Sequence, residues 1–367
     1  MRKSILILAG LLCVVACSQT IESPESETEN AVRPTIIANS PSYSSSPSTR
    51  TEIETLYDDE GKVKEIHTYW SAEDELIVYN WVDGVTITEV PNNYYTTSWS
   101  FYFDSDQPSQ TAVFELEDPY FQPLDDASLV AIHPLGDSDR LEHFFSPGSD
   151  GLFYGGIDFN IPVIQHPRAL TFDSDADLLV SECFSFDSEN PVVTDLSFTR
   201  MNAIVKIIFV DKTEHSLFSK GGIYSVIFGP ETGDKYLTGW AFCFPHEGMY
   251  ELYMAAYPED YDELVEEYPA YPYVSAEYSS NDHPSIGAID AVYLLVHPTT
   301  LKSEDYPDGL PIKVIVENWG CTYTVTRMVT LPPDGIELPA GLVTTLNISL
   351  YDDGINGTTV SEYWPLN

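Results

Sequence analysis

The sequence predicts an all-β protein, and three observations lead there. Residues suited to strands are abundant, with 24 Tyr and 17 Phe in 367 residues, and aromatic side chains favour pleated, half-buried surfaces. Apolar and polar residues alternate with a period of two in run after run. Clusters of Asp, Pro and Gly separate the runs, and the one helix candidate is a short acidic stretch, Glu259 to Glu267. Roughly ten or more short strands with few helices point to sandwiches.

Met1 to Cys17 opens the chain with a positive end, Arg2 and Lys3, and an apolar run, Ile5 to Val15. That is the form of a secretory signal peptide, too short to span a membrane as a helix. Its end, Val14-Val15-Ala16-Cys17, resembles a bacterial lipobox, in which the Cys is acylated and becomes the new N-terminus. Residues 1–16 are therefore expected to be removed, and Cys17 to carry the lipid that anchors the chain to the membrane. Residues 17–50 are rich in Ser, Thr, Glu, Asn and Pro, with Thr35-Ile36-Ile37-Ala38 and Tyr43 as the main apolar pieces. Such a stretch cannot bury enough surface to fold alone, and a flexible tether is expected.

From Thr51 the pattern changes. Strands are expected at His67 to Trp70, Glu75 to Trp81 and, after a hairpin turn at Asp83-Gly84, Val85 to Val90. Trp99, Phe101 and Phe103 form one aromatic face, and Ala112, Phe114 and Leu116 alternate in the same way. Leu129 to His133 is a further run. Residues 134–168 are rich in Gly, Pro and Asp and read as long loops with short strands. The composition shifts at Asp187 to Pro191, which divides the chain into domains 51–190 and 191–367. In the second, Met201 to Val210 is apolar on both faces: Ala203, Val205, Ile207 and Phe209 on one, Ile204, Ile208 and Val210 on the other. That predicts a central strand covered on both sides. Val192 to Phe198, Ile223 to Phe228, Tyr236 to Phe244, Ala291 to Val296, Ile312 to Glu317, Cys321 to Leu331 and Leu342 to Tyr351 complete the set, with a tight turn at Asn318-Trp319-Gly320.

Lys+Arg number 16 against 58 Asp+Glu, a formal net charge of -42. Such a surface repels phosphate backbones and excludes nucleic acid as a partner. Three cysteines lie beyond the lipid site, Cys183, Cys243 and Cys321. Their odd number and wide spacing speak against a zinc site or a disulfide framework. Buried thiols are expected, with one disulfide and one free thiol as the alternative.

No HExxH, GxSxG, P-loop or GxGxxG occurs, so no catalytic residue, cofactor or metal is nominated, and the chain reads as a non-enzyme. Asp173-Ser174-Asp175-Ala176-Asp177 starts like a calcium loop. It has Leu178 where Gly is needed and Phe184 where Glu is needed, and a solvated acidic turn is expected instead. Tyr257 to Tyr278 is a tyrosine-rich insertion. Tyr268, Tyr271 and Tyr273 could stack on sugar rings, or could simply pack the loop onto the sandwich.

Four segments together resemble the fimbrillins, the type V pilus proteins of Bacteroidetes, and their cell-surface relatives. They are the lipobox at Cys17; Thr49-Arg50-Thr51 followed by Trp70-Ser71-Ala72-Glu73-Asp74-Glu75-Leu76-Ile77-Val78; Leu196 to Ile207; and Ile336-Glu337-Leu338-Pro339-Ala340-Gly341-Leu342. Glu73 stands where the family pattern has Gly, and Leu76 where it has Ile. The resemblance implies two transthyretin-like Greek-key β-sandwiches in tandem and assembly by strand exchange. A trypsin-like protease removes an N-terminal strand from a surface lipoprotein, and a strand from a neighbouring pilus subunit fills the groove. Arg33 precedes Pro34, which hinders cleavage, so Arg50-Thr51 is the expected cut; the alternative is an exposed Arg in a permanent lipoprotein. The function expected is a structural or adhesive pilus subunit, with a glycan-binding outer-membrane lipoprotein as the alternative.

Overall fold

The structure is a computed structural model. It describes residues 34–39, 52–57, 63–70, 74–81, 83–85, 98–103, 109–116, 121, 128–133, 141–147, 150, 152–167, 172–187, 191–209, 222–244, 249–252, 268–278, 291–318, 321–349 and 363–365. The first half holds β1 (Thr35–Asn39), β2 (Glu52–Tyr57), β3 (Val63–Tyr69), β4 (Glu75–Trp81), β5 (Asp83–Val85), β6 (Ser98–Phe103), β7 (Thr111–Leu116), β8 (Ser128–His133), β9 (Leu141–Pro147), β10 (Phe153–Ile161), β11 (Ile164–Gln165) and β12 (Leu179–Ser181). The second half holds β13 (Val192–Leu196), β14 (Phe198–Arg200), β15 (Ala203–Phe209), β16 (Gly222–Phe228), β17 (Thr238–Phe244), β18 (Met249–Leu252), β19 (Ala270–Tyr271) and β20 (Val274–Glu277). After them come β21 (Val292–Val296), β22 (Thr299–Leu301), β23 (Leu310–Asn318), β24 (Cys321–Val329), β25 (Ile336–Leu338), β26 (Leu342–Ile348) and β27 (Tyr363–Pro365). The only helical element among the described residues is a 3-10 turn at Ser174–Ala176. The fold is all-β, as expected.

Four larger sheets form. The first runs β13-β1-β7-β6-β4-β8-β12-β14. The second runs β18-β17-β10-β5, with β19 on β17 and β9 on β10. The third is β11-β20-β16-β23-β24 and the fourth β21-β15-β26-β27. One face of the first sheet buries Trp70, Leu76, Trp99, Phe101, Phe114 and Phe198. Its other face, on β4, β8 and β12, meets the second sheet through Trp81, Ile132, Val180, Ile157 and Phe159. The third and fourth sheets enclose the largest core, including Val205, Ile207, Val226, Val314 and Leu346.

β15 shows why a two-faced apolar strand needs two covers. Ala203, Val205, Ile207 and Phe209 enter the core between the third and fourth sheets. Ile204 and Ile208 face the other way, among Phe172, Ala176, Tyr293 and Val343. β15 lies between β21 and β26, the central position its sequence predicts. β6 likewise alternates, burying Trp99, Phe101 and Phe103. β23 and β24 pair antiparallel as far as Asn318↔Cys321; the expected turn residues Trp319 and Gly320 lie outside the described residues.

Four expectations need correction. The tether contains β1: a five-residue segment too apolar-poor to fold alone is stable as a strand when two neighbours supply ladders. Asp83-Gly84 does not turn the chain back on β4; β5 crosses to the second sheet and pairs with β10, Phe153↔Val85. Residues 134–168, read as long loops with short strands, hold the seven-residue β9 and the nine-residue β10, whose Gly155 lies against the Trp81 ring. The ladders also ignore the division after residue 190. β13 and β14 belong to the first sheet, and β10 pairs with β17, Phe159↔Ala241. The helix candidate Glu259 to Glu267 lies outside the described residues.

Candidate functional site

β1 is an insert between two strands that are far apart in sequence. It pairs antiparallel with β7 over its whole length, from Thr35↔Glu115 to Asn39↔Thr111. On its other side it pairs parallel with β13, Thr35↔Val192, Ile36↔Val193 and Ala38↔Leu196. Pro191 O accepts from Thr35 N at 2.9 Å. Between Ile36 and Ala38 the register slips, because β13 uses an extra residue there. Asp195 sits in that bulge at φ 60°, the left-handed region that few non-glycine residues adopt. The hold on β1 is thus continuous on the β7 side and interrupted on the β13 side.

Alternate side chains of β1 point to opposite faces. Ile36 and Ala38 are fully buried, in the same core as Ala112, Phe114, Val193 and Leu196. Thr35 and Ile37 are half-buried on the other face. Burying one Ile contributes about 1.5–3 kcal/mol, so the strand is anchored chiefly by Ile36, with Ala38 fixing the fit beside it. Chemically this is a slot with backbone hydrogen-bonding groups along both walls, one large apolar pocket and one small one.

Behind the slot the core turns polar. Ile36 is opposite Phe114, whose ring lies 5.0 Å from Trp70 in an edge-on contact. Trp70 also meets Phe198 at 5.5 Å and His133 at 6.0 Å. His133 Nδ1 donates to Asp177 O at 3.3 Å, and its Nε2 lies 3.5 Å from Asp74 Oδ1. The Asp177 carboxylate takes a side-on fork from Arg200, whose guanidinium lies 5.1 Å from the centre of the Phe172 ring. Burial alone would lower the His133 pKa. The Asp74 carboxylate and the Asp177 backbone and charge outweigh it, so His133 titrates above the ordinary histidine value. Neither Arg200 nor His133 carries a sequence motif that signals this cluster; 23 residues separate Arg200 from Asp177.

The expected acidic turn at 173–177 is solvated only at Asp175, which is exposed, while Asp173 and Asp177 are buried. Asp173 is buried and accepts from His166 N at 2.7 Å and from Asp175 N at 3.1 Å. Asp177 is occupied by Arg200, so these carboxylates do not converge on a common point. No group of acids, histidines and cysteines among the described residues is arranged to hold a metal ion.

Cys17, Arg50 and Thr51 lie outside the described residues. Tyr268 is half-buried and edge-on to Trp240 at 5.7 Å. Tyr271 and Tyr273, also half-buried, stand 6.0 Å apart with their rings at 65°. One backbone and one side-chain hydrogen bond tie this segment to β17 and its approach: Leu237 N donates to Tyr271 O at 2.7 Å and Thr238 Oγ1 to Tyr273 O at 2.9 Å. The three rings share no common plane. Cys243 is buried, as expected, and desolvation pushes its thiol pKa up. Cys183 and Cys321 are exposed, against expectation, and none of the three cysteines is in a disulfide. Cys183 follows β12 by two residues, and Cys321 is the first residue of β24.

No family model matches the chain, and no curated protein matches it. Among solved structures, it is similar to a protein of Bacteroides ovatus, provisionally named a cell adhesion protein, with 10% identity and a TM-score of 0.44 over 92% of this chain and 100% of that one. A protein of Bacteroides uniformis named in the same provisional way has 13% identity and a TM-score of 0.45, covering 90% of this chain and 99% of that one. A third, from Bacteroides fragilis, has 11% identity and a TM-score of 0.41, covering 92% and 98%.

Proposed function

We propose that the chain is a structural or adhesive subunit of a fimbrillin-type pilus, assembled by donor-strand exchange. In this reading it reaches the outer membrane as a lipoprotein acylated at Cys17. A trypsin-like protease then cuts between Arg50 and Thr51 and separates β1 from the rest of the chain. The observation that supports this most directly is the place of β1. It lies on the N-terminal side of Arg50 and is the inserted strand between β7 and β13. A linker of this kind keeps a strand at an effective concentration on the order of millimolar, and cleavage removes that advantage. The interrupted ladder to β13 then favours release. The emptied slot would accept a neighbouring subunit's strand with an aliphatic and a small residue two positions apart.

Electron microscopy of purified 51–367 beside 17–367 tests the reading. Filaments or ladders from the shorter form alone are the expected result. Failure of 51–367 to assemble, or equal assembly of both forms, would overturn it. An intact N-terminus on surface protein, read by mass spectrometry, would exclude the processing step.

A further inference from the structure

β24 is the outer strand of the third sheet, and among the described residues its one ladder partner is β23. It is nine residues long. Cys321, Thr322, Tyr323, Thr324 and Thr326 are exposed, Tyr323 at 40%. A long open edge offers a row of backbone donors and acceptors to any extended chain. Natural sheets guard such edges with Pro, Lys, inward charges, bulges or short length. β24 has one of these guards: Arg327, on the face of Val325 and Val329, donates from Nε to Ser349 O and from Nη1 to Thr326 O, each at 3.0 Å. Its register to β23 runs unbroken from Leu310↔Val329 to Asn318↔Cys321. It contains no Pro, and its single charge is Arg327. The other outer strands are shorter: β3 and β9 have seven residues, and β9 ends in Pro147; β2 has six, β13 and β21 five, β18 four, β5, β14 and β27 three, β11 two.

The composition of this edge is out of keeping with the chain that carries it. Asp and Glu number 58 in the whole sequence, and none falls in Cys321–Val329. For two copies of so acidic a protein, a carboxylate-free strip is where close approach meets least repulsion. The strip is also self-complementary. Laid antiparallel on itself about Val325, Thr324 faces Thr326, Tyr323 faces Arg327, Thr322 faces Met328, and Val325 faces its own copy. Thr–Thr and aliphatic pairs stabilise antiparallel neighbours.

We propose that β24 is a homodimerisation edge. A second copy of the chain pairs its own β24 antiparallel with the first, about a two-fold axis through Val325, and the two sheets become one continuous sheet. This association is separate from strand exchange at β1, which is in place in the uncleaved chain.

Sedimentation equilibrium of the full chain in reducing buffer, over a range of concentrations, tests it. The average mass is expected to rise toward that of two chains, and added salt to strengthen association by screening the acidic surfaces. The double variant Thr324→Asp, Thr326→Asp sets carboxylates against carboxylates on both sides of the axis and is expected to weaken association at least about tenfold. The double variant Thr324→Lys, Thr326→Asp sets a cation against a carboxylate at the same two places and is expected to restore it. All these positions are exposed, so circular dichroism should show both variants folded. A monomer at every concentration would overturn the proposal. So would an Asp pair that associates like the parent, or a charge-swapped variant that stays as weak as the Asp pair.

Discussion

Arg200 and Asp177 meet side-on in the interior, Nε to Oδ1 at 2.6 Å and Nη2 to Oδ2 at 2.8 Å, and both side chains are fully buried. The pair joins β14 to the segment before β12. Breaking it from one side leaves a charge in the core. Arg200→Met is expected to cost about 3–5 kcal/mol, whereas Arg200→Met combined with Asp177→Leu should recover most of that loss. Urea denaturation of the two variants checks this. Equal destabilisation by both would show that packing, and not the stranded charge, sets the cost.

His133 and His297 should give opposite pH responses. His133 binds its proton more tightly in the folded chain. Its contribution is therefore fully present below about pH 6.5, the ordinary histidine value, and is lost as pH rises through the folded value. His133→Gln should flatten that decline in a plot of unfolding free energy against pH.

His297 is the reverse case. Burial lowers its pKa to about 3, although Nε2 donates to Gly239 O at 3.0 Å. The folded chain holds it neutral while the unfolded chain protonates below about pH 6.5. Its contribution is present above that value and is lost as pH falls toward the folded one. The NMR signal of its imidazole carbon should stay constant from about pH 8 to about pH 4.5 in the folded protein. Movement centred near the ordinary value would contradict the buried, neutral state.

β15 could be read from the sequence because its apolar residues run unbroken and belong to both faces, a pattern that few other arrangements satisfy. β6 and β7 were equally legible from strict alternation. β1 was not. Ile36 and Ala38 are two buried residues within a Ser- and Pro-rich stretch, and the strand owes its order to ladders on β7 and β13, roughly 75 and 150 residues downstream. The same non-local origin hid the crossing at Asp83-Gly84, where a good hairpin signal precedes a strand that pairs with β10. The slot was legible only in outline: Arg50 could be placed at the end of a tether, but the strand beside it could not. The Asp177–Arg200 pair left no periodic trace, because one ion pair has no repeat.

Gly155 marks a close approach within the second core. A Cβ added there would lie 2.9 Å from the Trp81 ring, which is almost fully buried. The ring cannot swing into solvent, so Gly155→Ala is expected to destabilise by about 1–3 kcal/mol through overpacking. A double-mutant cycle with Trp81→Leu should show strong coupling. Additive effects would place the strain elsewhere on β10.

Ile36 decides whether β1 can be supplied from outside the chain. Its large pocket lies beside Phe114 on β7 and Val193 on β13, and Ile36→Ala should cost about 2–5 kcal/mol. In a chain lacking residues 17–50 the slot is open, and a synthetic peptide spanning Thr35–Asn39 with short flanks should raise the melting temperature in a concentration-dependent way. The same peptide carrying Ile36→Asp should have no effect, because a carboxylate in that pocket has no partner charge and a large desolvation cost. Ala38→Leu should also bind poorly, since the small pocket has no room for the added methylenes. If the Asp peptide stabilises as well as the native one, binding rests on backbone ladders alone and the pockets do not select the strand. If neither peptide binds, the cleaved chain closes its slot by rearrangement, and β1 serves the precursor's folding without leaving a site for a neighbour.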